Sequence, residues 1–236
     1  MFASLPMYLR AETKDALDHI WEAIRSEILI EGMEAPEKLD QSQEGLAAWL
    51  RTDMVLSQTC GMPYRRELID KVTLVGTLDH GVEGCPPGYY RSAIIQRKGE
   101  DLAKHPHAVA NSLMSQSGYA ALLEYNPKLT NPQISGAHLN SARQVVESEA
   151  DIAAIDAVTW GLIEQYEDFA EKLEVLKFTN PTPGLPLITR IYGNKKERLS
   201  RAIERGLKAA RPSELALLGI KGLVQIPAED YIKIDS

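Results

Sequence analysis

Between residues 12 and 30 the apolar side chains return at helical spacing. Leu17, Ile20, Trp21, Ile24 and Ile28 share one face, while Glu12, Lys14, Asp18, Glu22 and Arg25 lie opposite. That is an amphipathic helix laid on a core. The period is lost over residues 31–52, which predict a loop with a short helix around Leu46–Leu50. Short apolar runs then alternate with helical stretches. Strands are predicted at Asp53–Ser57, Lys71–Gly76, Arg91–Arg97, His107–Asn111, Asp151–Ile155, Leu173–Phe178 and Leu185–Ile191, with Leu223–Ile226 closing the fold. A helix is predicted to open at Pro63, where a first-turn proline leaves no amide wanting. Others are predicted over Gly118–Glu124, through Leu139, Ala142, Val145 and Val146, and over Ala157–Tyr166 behind an Asp156 cap. Asn194 is expected to cap a helix whose apolar face is Leu199, Ile203, Leu207 and Ala210, and a short helix spans Pro212–Leu218.

This βα alternation predicts an α/β fold with mixed sheets flanked by helices. Two Pro/Gly segments interrupt it, Gly84-Cys85-Pro86-Pro87-Gly88-Tyr89-Tyr90 and Thr179-Asn180-Pro181-Thr182-Pro183-Gly184. They predict a lobe of residues 87–183 inserted into a discontinuous lobe of residues 1–86 and 184–236, the two crossings acting as a hinge. Adjacent strand residues point to opposite faces, so only one of Tyr89 and Tyr90 can face a ligand; Tyr90 is favoured.

With 236 residues, 44% of them hydrophobic, the chain is large enough for a full core. Its net charge of −7, from 26 basic and 33 acidic side chains, argues against nucleic acid as a partner, since phosphate-backbone binding needs clustered Lys and Arg. A small anion is not excluded, because a few backbone amides hold one locally. No apolar run approaches the length of a membrane span, so no membrane insertion is expected. Residues Met1 to Arg10 do not read as a secretory signal, which predicts a cytoplasmic location, or a periplasmic one if a leader has been trimmed. The two cysteines, Cys60 and Cys85, sit in Gly/Pro-rich loops and are read either as free thiols or as a disulfide. No metal-ligand spacing accompanies them, and no cofactor is implied.

The candidate chemistry lies in two glycine-marked turns of small hydroxyl residues, each placed where a strand hands over to a helix. They are Asn111-Ser112-Leu113-Met114-Ser115-Gln116-Ser117-Gly118-Tyr119 and Ile134-Ser135-Gly136-Ala137-His138. A helix start leaves backbone N–H groups unpaired and carries about half a positive charge. Hydroxyls beside it complete a site for phosphate, phosphonate or carboxylate. The simpler reading of Ser115, Ser117 and Asp156 is that each caps its helix. A Ser117, His138 and Asp156 triad is disfavoured, because the sequence lacks the G-x-S-x-G elbow that exposes a nucleophilic serine.

Five stretches, taken in order, carry a resemblance. These are Pro87-Gly88-Tyr89-Tyr90-Arg91-Ser92, Ser115-Gln116-Ser117-Gly118-Tyr119, Ser135-Gly136-Ala137-His138, Asp151-Ile152-Ala153-Ala154-Ile155-Asp156 and Pro183-Gly184-Leu185-Pro186. Over roughly residues 50–190 the chain resembles the phosphonate/phosphate-type substrate-binding proteins of ABC transporters. The resemblance implies a two-lobed type II periplasmic-binding-protein fold, a non-catalytic role, a small anionic ligand and an ABC transporter permease as partner. It implies that Ser115, Gln116 and Ser117 stand for the family's Ser-Thr-Ser turn, with Gln116 replacing the middle hydroxyl, and that the amides near Gly118 help to hold the anion. It further implies that His138, beside Ser135, is the second contact, that Asp156 meets a ligand amine, and that Ser57, Gln58 and Thr59 face the ligand from the other lobe. The alternatives are a cytosolic enzyme on the same scaffold, acting on a small anionic metabolite, and a regulatory or interaction module.

Overall fold

The structure is a computed structural model that describes residues 1–42 and 45–234. In chain order the elements are β1 (Phe2–Ser4), α1 (Lys14–Ile30), α2 (Gly45–Trp49), β2 (Met54–Gln58), α3 (Gly61–Pro63), β3 (Thr73–Asp79), β4 (Tyr89–Tyr90), β5 (Ser92–Arg97) and β6 (Ala108–Ala110). There follow α4 (Ala121–Tyr125), β7 (Gln133–Ile134), α5 (His138–Val146), β8 (Ile152–Asp156), α6 (Ala157–Tyr166), β9 (Leu173–Phe178) and β10 (Thr182–Pro183). The chain ends with β11 (Pro186–Thr189), α7 (Lys196–Ala209), α8 (Pro212–Leu217), β12 (Gly222–Val224) and α9 (Ala228–Ile232). Two π-helical turns, Tyr64–Leu68 and Gln116–Ala120, run directly into or out of α-helix. The fold is mixed α/β, and the chain forms two compact units, Met1–Tyr89 with Pro183–Ile234, and Tyr90–Thr182.

The first unit is built on a sheet in the order β1-β2-β11-β3-β12. Strand β11 runs antiparallel to both β2 and β3, so the returning end of the chain is woven into the middle of the sheet. Helix α1 buries the apolar stripe Leu17, Ile20, Trp21, Ile24 and Ile28. It meets α7 at Gly206, where an added Cβ would come within 2.4 Å of the Ile24 Cα. At the rim of that contact Arg205 pairs with Glu27 and Glu31 at 2.6 and 2.8 Å. A separate cluster of Phe2, Met54, Tyr64, Leu68, Ile188 and Tyr231 includes the C-terminal helix.

The second unit has a sheet in the order β7-β6-β8-β5-β9. Its inner strands carry apolar runs, Ala93–Ile95, Ala108–Ala110 and Ile152–Ile155, and alternation sends successive residues to opposite cores. Ala93, Ile95, Ala153 and Ile155 join the cluster containing Val145, Trp160 and Ile163 of α5 and α6. Ile94, Ile152 and Ala154 join the one containing Ala121 and Leu122 of α4. Trp160 is buried in the first of these cores.

Some local expectations fail for identifiable reasons. Pro63 does not open its helix. Cys60 occupies the cap position, accepting from the Tyr64 amide at 3.1 Å, and Pro63 is the third helical residue, which a first turn tolerates equally. Asn194 is not a cap either: it lies inside a 3₁₀ turn, Gly193–Lys195, and α7 begins only at Lys196. Strand β1 and helix α9 were not predicted. Each is short, and β1 is held by parallel pairing to β2 rather than by local propensity.

Candidate oxyanion site

The register of the second sheet collects the candidate residues on one edge. Ser92 is opposite Asp156, Ala93 opposite Phe178, Ala110 opposite Ile134, and β6 runs parallel to β8. The carboxyl ends of β6, β7, β8 and β9 and the amino end of β5 therefore meet along that edge. Turns at the carboxyl ends of sheet strands are where open α/β sheets present binding groups.

The turn after β6 is closed by its own side chains. Ser112 Oγ accepts from the Met114 amide at 3.1 Å. Ser115, in extended conformation, caps the following helix by accepting from the Gly118 amide at 2.9 Å. The first turn beyond it, Gln116–Ala120, is π-helical and wider than an α-turn, a form that recurs at functional sites. Gly118 leaves room for Asn111, since an added Cβ would stand 2.1 Å from Asn111 Oδ1 and turn that side chain away. Asn111 Oδ1 is itself buried with no hydrogen-bond partner.

Ser117 is buried, and its Oγ lies 2.8 Å from His138 Nε2 and 3.5 Å from Ser115 Oγ. Ser115, Ser117 and His138 are thus brought together although the last two stand 21 positions apart. Burial pushes the His138 pKa down to about 4, opposed by the nearby Ala154 carbonyl, while part of the ring stays open to solvent. The imidazole is neutral at pH 7. Nε2 and the Ser117 hydroxyl share one hydrogen bond, whose direction follows the tautomer of the ring. Nδ1 makes no full hydrogen bond and, in particular, has no carboxylate behind it. A serine-histidine-carboxylate relay is therefore not assembled here.

The turn after β7 is organised by Ser135. Its hydroxyl donates to the Ala137 carbonyl at 2.9 Å and meets Ser141 Oγ at 2.7 Å, and Gly136 takes φ +83°, which favours glycine. Ser135 is therefore engaged in holding the turn that presents His138 as the first residue of α5. Asp156 is buried and caps α6, one carboxylate oxygen accepting from the Val158 and Thr159 amides at 2.8 and 3.0 Å. The predicted cap is present, and it occupies one of that residue's two oxygens. Tyr90 is buried at the start of the same unit.

The remaining candidates belong to the first unit, at the end of β2. Ser57, Gln58 and Thr59 are buried there. Ser57 Oγ has no hydrogen-bond partner, whereas Thr59 is pinned by its amide to the Pro186 carbonyl at 3.0 Å. Gln58 lines a small, mainly apolar cavity of ≈ 10 Å³ together with Leu17, Ile20 and His80. Cys60 and Cys85 are not joined, so the bridge that the sequence left open is not formed. Two residues that bear on the site were not singled out from sequence: Asn111, and Arg91 at the edge beside Asp156. The signal for Asn111 was its place as the polar residue directly after a strand.

No family model and no curated protein matches the chain. Among solved structures it is similar to PhnD1 from Prochlorococcus marinus in complex with methylphosphonate, at 14% identity over 99% of this chain and 95% of that one, with a TM-score of 0.69. It is similar to the binding-protein component of an ABC phosphonate transporter from Pseudomonas aeruginosa, at 18% identity over 98% and 82%, TM-score 0.71. An arginine-specific periplasmic binding protein from Salmonella typhimurium matches at 13% identity over 92% and 95%, TM-score 0.61. At these identities the likeness shows the fold, that of periplasmic-binding-protein-like two-lobed proteins. Among the described residues no helix is long and apolar enough to cross a membrane.

Proposed function

We propose that the chain is a non-catalytic receptor for a small oxyanion, of the phosphonate-type ABC transporter substrate-binding family, with phosphate, phosphonates and related organic anions as the ligand class. The observation that carries this reading is the 2.8 Å contact between Ser117 and His138 at the head of two helices on one sheet edge. Two hydroxyls, an imidazole and the first amides of Gln116–Ala120 and α5 supply hydrogen-bond donors with little charge. That set suits an oxyanion whose charge is to be solvated rather than neutralised. Asn111 Oδ1, buried and unpartnered beside Gly118, is an acceptor, and it fits a protonated oxygen or an amine on the same ligand. The partner in this reading is an ABC transporter permease, and the solved likenesses that are themselves transporter binding proteins support it.

Thermal denaturation in the presence of phosphate, methylphosphonate, sulfate and acetate tests the proposal. A ligand at 100 times its dissociation constant adds about 2.7 kcal/mol to the stability of the native state. At least one phosphorus oxyanion is expected to raise the midpoint, and Ser117→Ala to abolish most of that rise. A flat response across the panel, or a Ser117→Ala variant that responds like the parent, defeats the reading.

A further inference from the structure

Among the described residues three arginines are stacked on phenylalanine rings. Arg51 lies over Phe2 at 4.7 Å and Arg143 over Phe169 at 5.8 Å, and in both the guanidinium is also paired with a carboxylate, that of Asp53 at 2.9 Å and that of Glu167 at 3.1 Å. The third, Arg91 over Phe178, is the tightest stack at 4.1 Å. Its Nε is buried without an acceptor, and among the described residues no carboxylate pairs with it. A guanidinium fixed on an aromatic face keeps its in-plane donors aimed in one direction and loses little freedom when a planar anion docks. In a chain with seven more acidic than basic groups, a fixed arginine without a carboxylate is conspicuous.

Its position completes the argument. Arg91 directly precedes β5, its carbonyl accepts from the Ala157 amide at 3.0 Å, and Ser92 faces Asp156. It therefore stands on the sheet edge that carries Ser115, Ser117 and His138. The strand order puts β8 between β6 and β5, so Arg91 is two strand spacings from the serine turn, roughly 10 Å along the edge. An arginine side chain and a short organic ligand together span that distance.

We infer that Arg91 on Phe178 is a second anion subsite, and that the ligand is an organic oxyanion carrying two acidic groups, one held at Ser117 and His138 and the other, a carboxylate or second phosphoryl group, by the Arg91 guanidinium. This rests on the oxyanion reading above. It is tested by calorimetric titration of the full chain with methylphosphonate, propylphosphonate and phosphonopropionate; the last two differ in whether a carboxylate ends the tail. The wild type should bind phosphonopropionate about tenfold or more tighter than propylphosphonate, the scale of a charge-assisted bidentate contact. Arg91→Met, which keeps an apolar stem on Phe178, should erase that preference while leaving methylphosphonate within about twofold of wild type. Arg91→Lys should keep only part of it. A preference that survives Arg91→Met, or methylphosphonate binding without any preference in the wild type, overturns the second subsite and leaves the first intact. If none of the three compounds binds, the oxyanion reading fails and this inference falls with it. The methylphosphonate affinity of each variant reports that it has folded.

Discussion

Acidification should unfold this protein partly through one imidazole. In the folded chain His138 has its pKa pushed down to about 4 from the ordinary 6.5 by burial. A depressed histidine pKa means that the unfolded state binds the extra proton first. The stabilisation from keeping His138 neutral is therefore complete above pH 6.5 and is lost as the pH falls from there toward 4. Between pH 7.5 and 4.5 the linkage integral for this shift is about 2.5 kcal/mol, and partial solvent access to the ring reduces it to roughly 2 kcal/mol. The perturbation is His138→Gln, which keeps a polar group for Ser117 but does not titrate. Urea melts of both proteins at the two pH values isolate the residue, because His80, also depressed by burial, contributes equally to each. The wild type is expected to lose roughly 2 kcal/mol more than the variant on acidification. Equal losses would refute the argument, since they would mean that His138 takes up its proton without leaving its contact with Ser117.

Other consequences follow from single contacts. Ser57 Oγ is buried without a partner, so Ser57→Ala should raise stability by about 1 kcal/mol in urea melts, and a loss instead would reveal a hidden hydrogen bond. Gly206→Ala drives a methyl group into the Ile24 backbone at 2.4–2.8 Å, and α1 and α7 must separate; a cost of about 2–3 kcal/mol is expected in the same assay. The donors at the site are amides, hydroxyls and a neutral ring, so methylphosphonate affinity should change less than about threefold between 50 and 300 mM sodium chloride, as titration calorimetry will show.

The parts of this fold that were legible in sequence are those whose cause is local. The stripe of Leu17, Ile20, Trp21, Ile24 and Ile28 specifies α1 because its period matches the helix, and all five side chains are buried. Asp156 was readable as a cap because an aspartate before a helix makes its own bonds, here to Val158 and Thr159. Asn194 looked the same on paper, but an added 3₁₀ turn moved the helix start beyond it. The turn around Ser115 was legible as chemistry, whereas its contact with His138 needs two strand-to-helix turns placed side by side, and only the family resemblance suggested that. Arg91 lay inside a quoted motif and went unremarked. What distinguishes it is a carboxylate that is not there, and a missing partner is invisible until the register is known.

An acidic protein holding an anion is less paradoxical than the net charge suggests. Fields between exposed charges fade over roughly 8–10 Å at physiological salt, so a ligand at one sheet edge feels mainly what stands on that edge. In the second unit Asp151 is paired with Arg97, and Glu167 with Arg143, which leaves their charge locally balanced. Asp156 stands at the edge itself, and one of its oxygens accepts from two backbone amides at the start of α6. Those amides carry the positive end of the helix and offset much of the charge that Asp156 would otherwise present. Along the edge runs a row of donors from Ser117 through His138 and the helix starts, ended by the stacked Arg91 guanidinium, with which no carboxylate pairs among the described residues. The net charge of the whole chain does not decide the matter; the local supply of donors does.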